Sequence, residues 1–107
     1  MSTPQEMAAL KKAETVRLAR SKRKQWLCAD GNRRLAFERA LMVLDDVPLE
    51  LLTCEVSKFL MALPRIGRDT MAQICVGARI AEWRRLDSLT VSNKRTLAAE
   101  LMKRGGL

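Results

Sequence analysis

The sequence predicts an all-α protein, a long basic N-terminal helix followed by a compact helical domain, and three observations carry that expectation. Ala, Leu, Arg, Lys, Glu and Met dominate the composition, while Tyr is absent. β-Branched residues nowhere alternate with polar ones as in a half-buried strand. Apolar residues recur instead at i, i+3, i+4 and i+7, the spacing that lines one face of a helix. The 107 residues suffice for one modest core, with roughly 60 to 70% of the unfolded surface buried on folding. Residues 1–31 read as a basic helical arm and residues 32–107 as the compact domain.

The first helix has a start signal in Thr3 as cap, Pro4 in the first turn and Glu6 three residues after Thr3, the spacing of a capping box. It should run to about Cys28, where Asp30-Gly31-Asn32 supplies a left-handed stop and a new cap. A second helix follows from about Arg33 to Leu44, with Phe37, Ala40, Leu41 and Leu44 on its apolar face. Asp45-Asp46-Val47-Pro48 ends it, because the residue before a proline is pushed out of the helical region, and a short helical turn is expected around Leu49 to Leu52. Thr53 is the expected cap of a third helix bearing Val56, Phe59, Leu60 and Leu63. A fourth helix repeats the pattern with Met71, Ile74, Cys75 and Ala78. The two flank a tight turn, Leu63-Pro64-Arg65-Ile66-Gly67, within about residues 54–80. After Ile80 an irregular stretch leads to a last helix from about Val91 to Lys103, capped by Thr90 or Ser92, with Leu97, Ala98, Leu101 and Met102 toward the core.

Lys and Arg number 20 against 12 Asp and Glu, and without His the net charge of +8 holds across physiological pH. So large a surplus on a short chain points to a polyanion, nucleic acid first and an anionic membrane surface second, since each phosphate neutralised releases counterions. Enzymatic chemistry is not expected: there is no His, no Gly-rich phosphate loop and no activated nucleophile pair. The acidic doublet Asp45-Asp46 is explained by helix termination. Cys28, Cys54 and Cys75 are odd in number and form no C-x-x-C pair, so they read as reduced, partly buried small hydrophobes, with no metal, cofactor or small-molecule substrate implied. No segment approaches the ~18 apolar residues of a membrane span, and the protein is expected in the cytoplasm.

Three segments carry the binding chemistry. In the tight turn Pro64 ends one helix and Gly67 supplies the backbone freedom to open the next. Arg65 and Arg68 would then flank a helix N-terminus whose amide groups and dipole favour an anion; the alternative is an ordinary connection with two solvated arginines. In Trp83-Arg84-Arg85, two fork-shaped donors stand ready to grip phosphates, while Trp83 is expected to plug the edge of the core. Lys94 and Arg95 begin the last helix, where the dipole disfavours cations, so helix stability alone does not explain them. Third, Lys11, Lys12, Arg17, Arg20, Lys22, Arg23 and Lys24 spread around the first helix, which suits a protruding arm that contacts the polyanion, notably through Arg17, Arg20, Arg23 and Lys24, or else a solvated helix. Ile66 is the only apolar candidate for insertion between base steps, and a packing role serves it equally well.

From Val56 to Leu97 the pattern becomes specific: Val-Ser-x-x-Leu-x-Ala-Leu-Pro-Arg-Ile-Gly-Arg over residues 56–68, then Ile80-Ala81, Arg84-Arg85-Leu86, Lys94-Arg95 and Leu97. This resembles the helix-two-turns-helix region of the actinobacterial integration host factor family. With the upstream basic helix, the Asp30-Gly31-Asn32 break and a small insertion near Asp45 to Leu51, the resemblance covers nearly the whole chain. It implies a monomeric, non-enzymatic, nucleoid-associated protein that binds double-stranded DNA with little sequence preference, bends or compacts it, and assists a recombinase in site-specific recombination. Structured RNA, held by the same surface, is the alternative partner. A protein-interaction role for the first helix ranks lower, for lack of a sustained heptad. Carried over residue by residue, the resemblance puts the DNA-facing turn at Arg65, Ile66, Gly67, Arg68 and nearby Thr70, supported by Arg84 and Arg85, with Lys94 and Arg95 as neighbours. The chain departs from the family at Asp87, Ser88 and Thr90, which stand where a cation and two glycines are expected, as a divergent phage or mobile-element member would. Asp87 thereby places a negative charge beside the implied phosphate surface.

Overall fold

Twenty-five residues, Pro4–Cys28, form α1, about 38 Å long at 1.5 Å per residue, and this helix sets the longest dimension of the molecule, 53 Å against 29 and 24 Å. The computed structural model describes residues 4–105, the side chains of Ala8 and Ala9 aside. Further along are α2 (Arg33–Asp45), α3 (Val56–Met61), α4 (Arg68–Ala78) and α5 (Val91–Gly105), with short 3-10 turns at Ala29–Gly31, Leu49–Leu51 and Leu86–Ser88. The fold is all-α; extended pairing among the described residues is limited to one antiparallel bridge between Glu55 and Arg85. Thr3, the expected cap and one half of the capping box with Glu6, lies outside the described residues.

α1 ends as the sequence predicts. Ala29, Asp30 and Gly31 take φ values of 50°, 55° and 84°, left-handed conformations that stop a helix. Asn32 then caps α2, its Oδ1 accepting from the Leu35 amide at 3.1 Å. At the other end of the chain, Thr90 and Asn93 exchange bonds: Asn93 N donates to Thr90 Oγ1 and Thr90 N to Asn93 Oδ1, both at 3.1 Å. Thr90, not Ser92, therefore starts α5.

The core gathers Leu27 of α1, Phe37, Ala40 and Leu44 of α2, Phe59 and Leu60 of α3, Ile74 and Cys75 of α4, and Leu97 and Leu101 of α5. The i, i+3, i+4, i+7 faces are thus mostly the buried ones; of the residues the sequence places toward the core, Leu41 and Ala98 are only partly buried and Met102 is left exposed beside α2. α1 divides by burial. Its side chains from Leu10 to Leu18 are exposed, whereas Leu27 is fully buried. The reason is docking: Arg23 Nε bonds Glu50 Oε1 at 2.8 Å, and Arg20 reaches the Glu50 carbonyl at 3.2 Å and Thr53 Oγ1 at 2.7 Å. Trp26 supports this joint, with the guanidinium groups of Arg23 and Arg39 at 4.9 and 4.8 Å from its ring centre.

The start of α3 corrects an expectation. Thr53 does not cap it; the N-cap is Glu55, which makes no side-chain cap bond. The first amides are satisfied from far along the chain, Val56 N by the Arg84 carbonyl at 2.8 Å and Ser57 N by the Glu82 carbonyl at 3.1 Å. Thr53 is used instead as an acceptor for α1.

Candidate nucleic-acid interface

The connection between α3 and α4 is built by packing from below and polar groups above. Leu63 N bonds the Leu60 carbonyl at 3.1 Å and Ile66 N the Leu63 carbonyl at 3.3 Å, curling the chain tightly after Met61. Leu63 and Ile66 point into the core, the latter only 5% exposed. Ile66 therefore anchors the turn, and its side chain is not available for insertion between bases. Arg65, Gly67 and Arg68 are exposed and Thr70 half-buried. The left-handed residue is Arg65, at φ 63°. Gly67 is extended at φ −86°, ψ −176°, so the conformational freedom assigned to it from sequence is not used. What it contributes is lack of bulk: a Cβ there would meet nothing of the protein within 4 Å, so the path to the start of α4 stays open.

Gly67 is the N-cap of α4 and brings no side chain to cap it. The first-turn amides thus face solvent or a ligand, beside the positive end of an 11-residue helix. Arg65 and Arg68 add full charges to that end, and Asp69 in the same turn removes one. The net effect is a small cationic ledge with donors at its centre.

The segment after α4 is fixed by backbone. Besides the bonds to Val56 and Ser57, Leu86 N donates to the Cys54 carbonyl at 3.0 Å and Asp87 N to the Leu52 carbonyl at 2.9 Å. Leu86, 1% exposed, pins it to the core. Trp83, expected at the core edge, is instead 72% exposed: Arg84 N bonds the Ala81 carbonyl at 3.1 Å, closing a turn that carries Glu82 and Trp83 at its apex, away from the core. Arg84 is held by Ser88, its Nε to Oγ at 3.1 Å and its Nη2 to the carbonyl at 2.5 Å. Arg85 pairs with Asp87 at 3.3 Å. Ser88 and Asp87 thus fasten the two arginines, and Asp87 offsets part of the charge of Arg85.

The remaining candidates are dispersed. Lys94 and Arg95 line a shallow groove with Leu41, Leu44 and Asp45 of α2. Close by on α5, Thr96 Oγ1 bonds the carbonyl of Ala78, at the end of α4 opposite Arg68. They are consequently about 15 Å along α4 from the turn. On α1, Arg17 is exposed and Lys24 half-buried, while Arg20 and Arg23 are occupied in joining α1 to the 3-10 turn at Leu49–Leu51. Glu50 is held below the usual carboxylate range by its own backbone N–H and by Arg23. The structure therefore brings the thirteen candidates into separate groups: the α3–α4 turn, the Arg84-Arg85 segment at the opposite end of α3, the α5 pair, and α1. Sequence reasoning missed the exposed indole of Trp83 and the joining role of Arg20 and Arg23. The polar neighbours of Trp83, Glu82 and Arg84, were a signal for the first; nothing local announces the second.

No family model and no curated protein matches the sequence. The structure, by contrast, is similar to a solved one, that of sIHF bound to an 8-base-pair palindromic DNA, with a TM-score of 0.67 and 24% identity, covering 85% of this chain and 98% of that one. At this identity the likeness is one of fold: this chain adopts the same all-α architecture as that DNA-bound protein.

Proposed function

We propose that the protein is an architectural, non-enzymatic binder of double-stranded DNA, of the integration host factor type, with little preference for sequence. The observation that carries this reading is the α3–α4 turn, where exposed Arg65 and Arg68 flank an uncapped helix N-terminus, on a fold shared with a protein solved on DNA. Phosphate oxygens accept from the amides of α4 while the arginines neutralise neighbouring charge. Arg84 and Arg85, already oriented by Ser88 and Asp87, serve a second stretch of backbone. The exposed part of α1, with Lys11, Lys12 and Arg17, forms a third cationic surface. Bending or compaction follows if one duplex follows more than one of these surfaces, and a monomer at the nucleoid, assisting a recombinase, is the setting such a protein serves.

The test is fluorescence anisotropy with a labelled duplex of about 20 base pairs across a salt series. Engagement of about five phosphates gives a slope of log affinity on log salt of roughly −4 to −5. Arg65→Ala/Arg68→Ala is expected to weaken binding and flatten the slope by about 2. An unchanged slope moves the site to α1, and stronger binding to a matched RNA duplex overturns the assignment to DNA.

A further inference from the structure

Trp83 is a large indole standing 72% exposed at the apex of a hydrogen-bonded turn. Trp is highly buried on average, so an exposed one on a fixed turn calls for a partner. Its backbone is fixed here because the carbonyls on either side of it, those of Glu82 and Arg84, are both bonded to the first amides of α3, and Leu86 anchors the chain three residues later. Immediately behind it stand Arg84 and Arg85, fixed by Ser88 and Asp87. An exposed aromatic on a fixed stretch of backbone beside oriented cations is the combination that stacks on a nucleobase while the backbone next to that base is neutralised. Its neighbours along the chain are charged, Glu82 on one side and the two arginines on the other, and the guanidinium groups of Arg84 and Arg85, although Asp87 offsets part of the latter's charge, complement a phosphate backbone.

We infer that Trp83 stacks on an unstacked nucleobase, so that the protein favours DNA in which a base is already out of the helix over an intact duplex. This rests on the reading of the protein as a DNA binder. Inside a regular duplex each base face is covered by its neighbours, and inserting an indole requires unstacking a step, at a cost of a few kcal/mol. A bulged base, or a base beside a gap, presents its face without that cost. Ile66, the only wedge suggested by sequence, is buried, which leaves Trp83 as the exposed aromatic in the cationic segments.

The experiment compares two labelled 20-base-pair duplexes, one intact and one with a single bulged adenine, by anisotropy with the wild type, Trp83→Ala and Trp83→Phe, each checked for folding by circular dichroism. The wild type is expected to bind the bulged duplex more tightly. Trp83→Ala should lose about 5- to 140-fold on bulged DNA, the range of one base–aromatic stack, and little on the intact duplex, and Trp83→Phe should keep most of the preference. In a Trp26→Phe background, bulged DNA should quench the remaining indole fluorescence. Equal affinity of wild type and Trp83→Ala for the bulged duplex overturns the inference while leaving the DNA reading in place. Absence of binding to either duplex overturns both, and quenching by anionic vesicles but not by DNA assigns the indole to a lipid surface instead.

Discussion

The backbone N–H of Val56 donates to the carbonyl oxygen of Arg84 at 2.8 Å, so that a helix of six residues is capped by a segment 28 positions later in the chain. The arginine pair and the start of α3 are therefore one structural unit, in which Val56 anchors the helix to the core and Leu86 the arginine segment. Leu86→Ala should cost about 2 to 4 kcal/mol by loss of burial and creation of a cavity, measured by urea unfolding. Amide exchange at Val56 and Ser57 should accelerate with it; retention of their protection would show that the backbone bonds hold without the anchor.

Arg65 occupies the left-handed region at φ 63°, a conformation that costs an ordinary residue about 1 kcal/mol. Arg65→Gly removes that cost along with the charge. The expected outcome is a protein of equal or slightly higher thermal stability that binds DNA more weakly, whereas Arg65→Lys keeps the binding better. Thermal melts and anisotropy on the same samples separate the two effects.

Two glycines of α4 should respond oppositely to alanine. At Gly67 a Cβ meets no protein atom, the weaker capping by Ala and the reduced entropy of the unfolded chain roughly offset, and stability should change by less than about 1 kcal/mol while DNA affinity falls because the methyl group stands in the path to the amides. At Gly77 a Cβ would come within 2.7 to 2.9 Å of the Glu100 carboxylate only, the end of a flexible chain that can move. There helix propensity dominates, so Gly77→Ala should raise stability by about 0.5 to 1 kcal/mol and leave binding unchanged.

Stability should fall toward both ends of the pH scale, from identified groups. Burial pushes the Cys75 thiol from its ordinary 9.0 up to about 11, with Glu82 adding to the effect, and burial also raises Cys54. A group whose folded pKa is raised contributes stability that is complete below the unfolded value and is lost as pH rises through the folded one. The urea midpoint should therefore decline between about pH 9 and 11, less so in Cys75→Ala. Glu50 has the opposite sign: its lowered folded pKa gives stability that is present above the ordinary value and disappears as pH falls through the folded one, and Glu50→Gln should flatten the acid limb. Thiol reagents at pH 8 should modify half-buried Cys28 ahead of Cys54 and Cys75.

The helices, most of their boundaries and most of the core were set by the sequence alone, because helical periodicity, the Asp30-Gly31-Asn32 break, the Asn32 and Thr90 caps and Pro48 all act over a few neighbouring residues. The tight α3–α4 turn was legible for the same reason. What the tertiary structure decided concerns partners distant along the chain. Whether Arg20 and Arg23 project into solvent or join α1 to the body depends on where Glu50 and Thr53 fall after α2 has reversed direction. Trp83 looked like core by its apolar area, yet the amides of α3 take the carbonyls on either side of it and leave the indole outside. For Ile66 the sequence left insertion and packing open, and the structure decides for packing, because the turn curls over the Leu63 side of the core. Local pattern fixes which residues form helices; long-range hydrogen bonding and packing fix which side chains remain for a ligand.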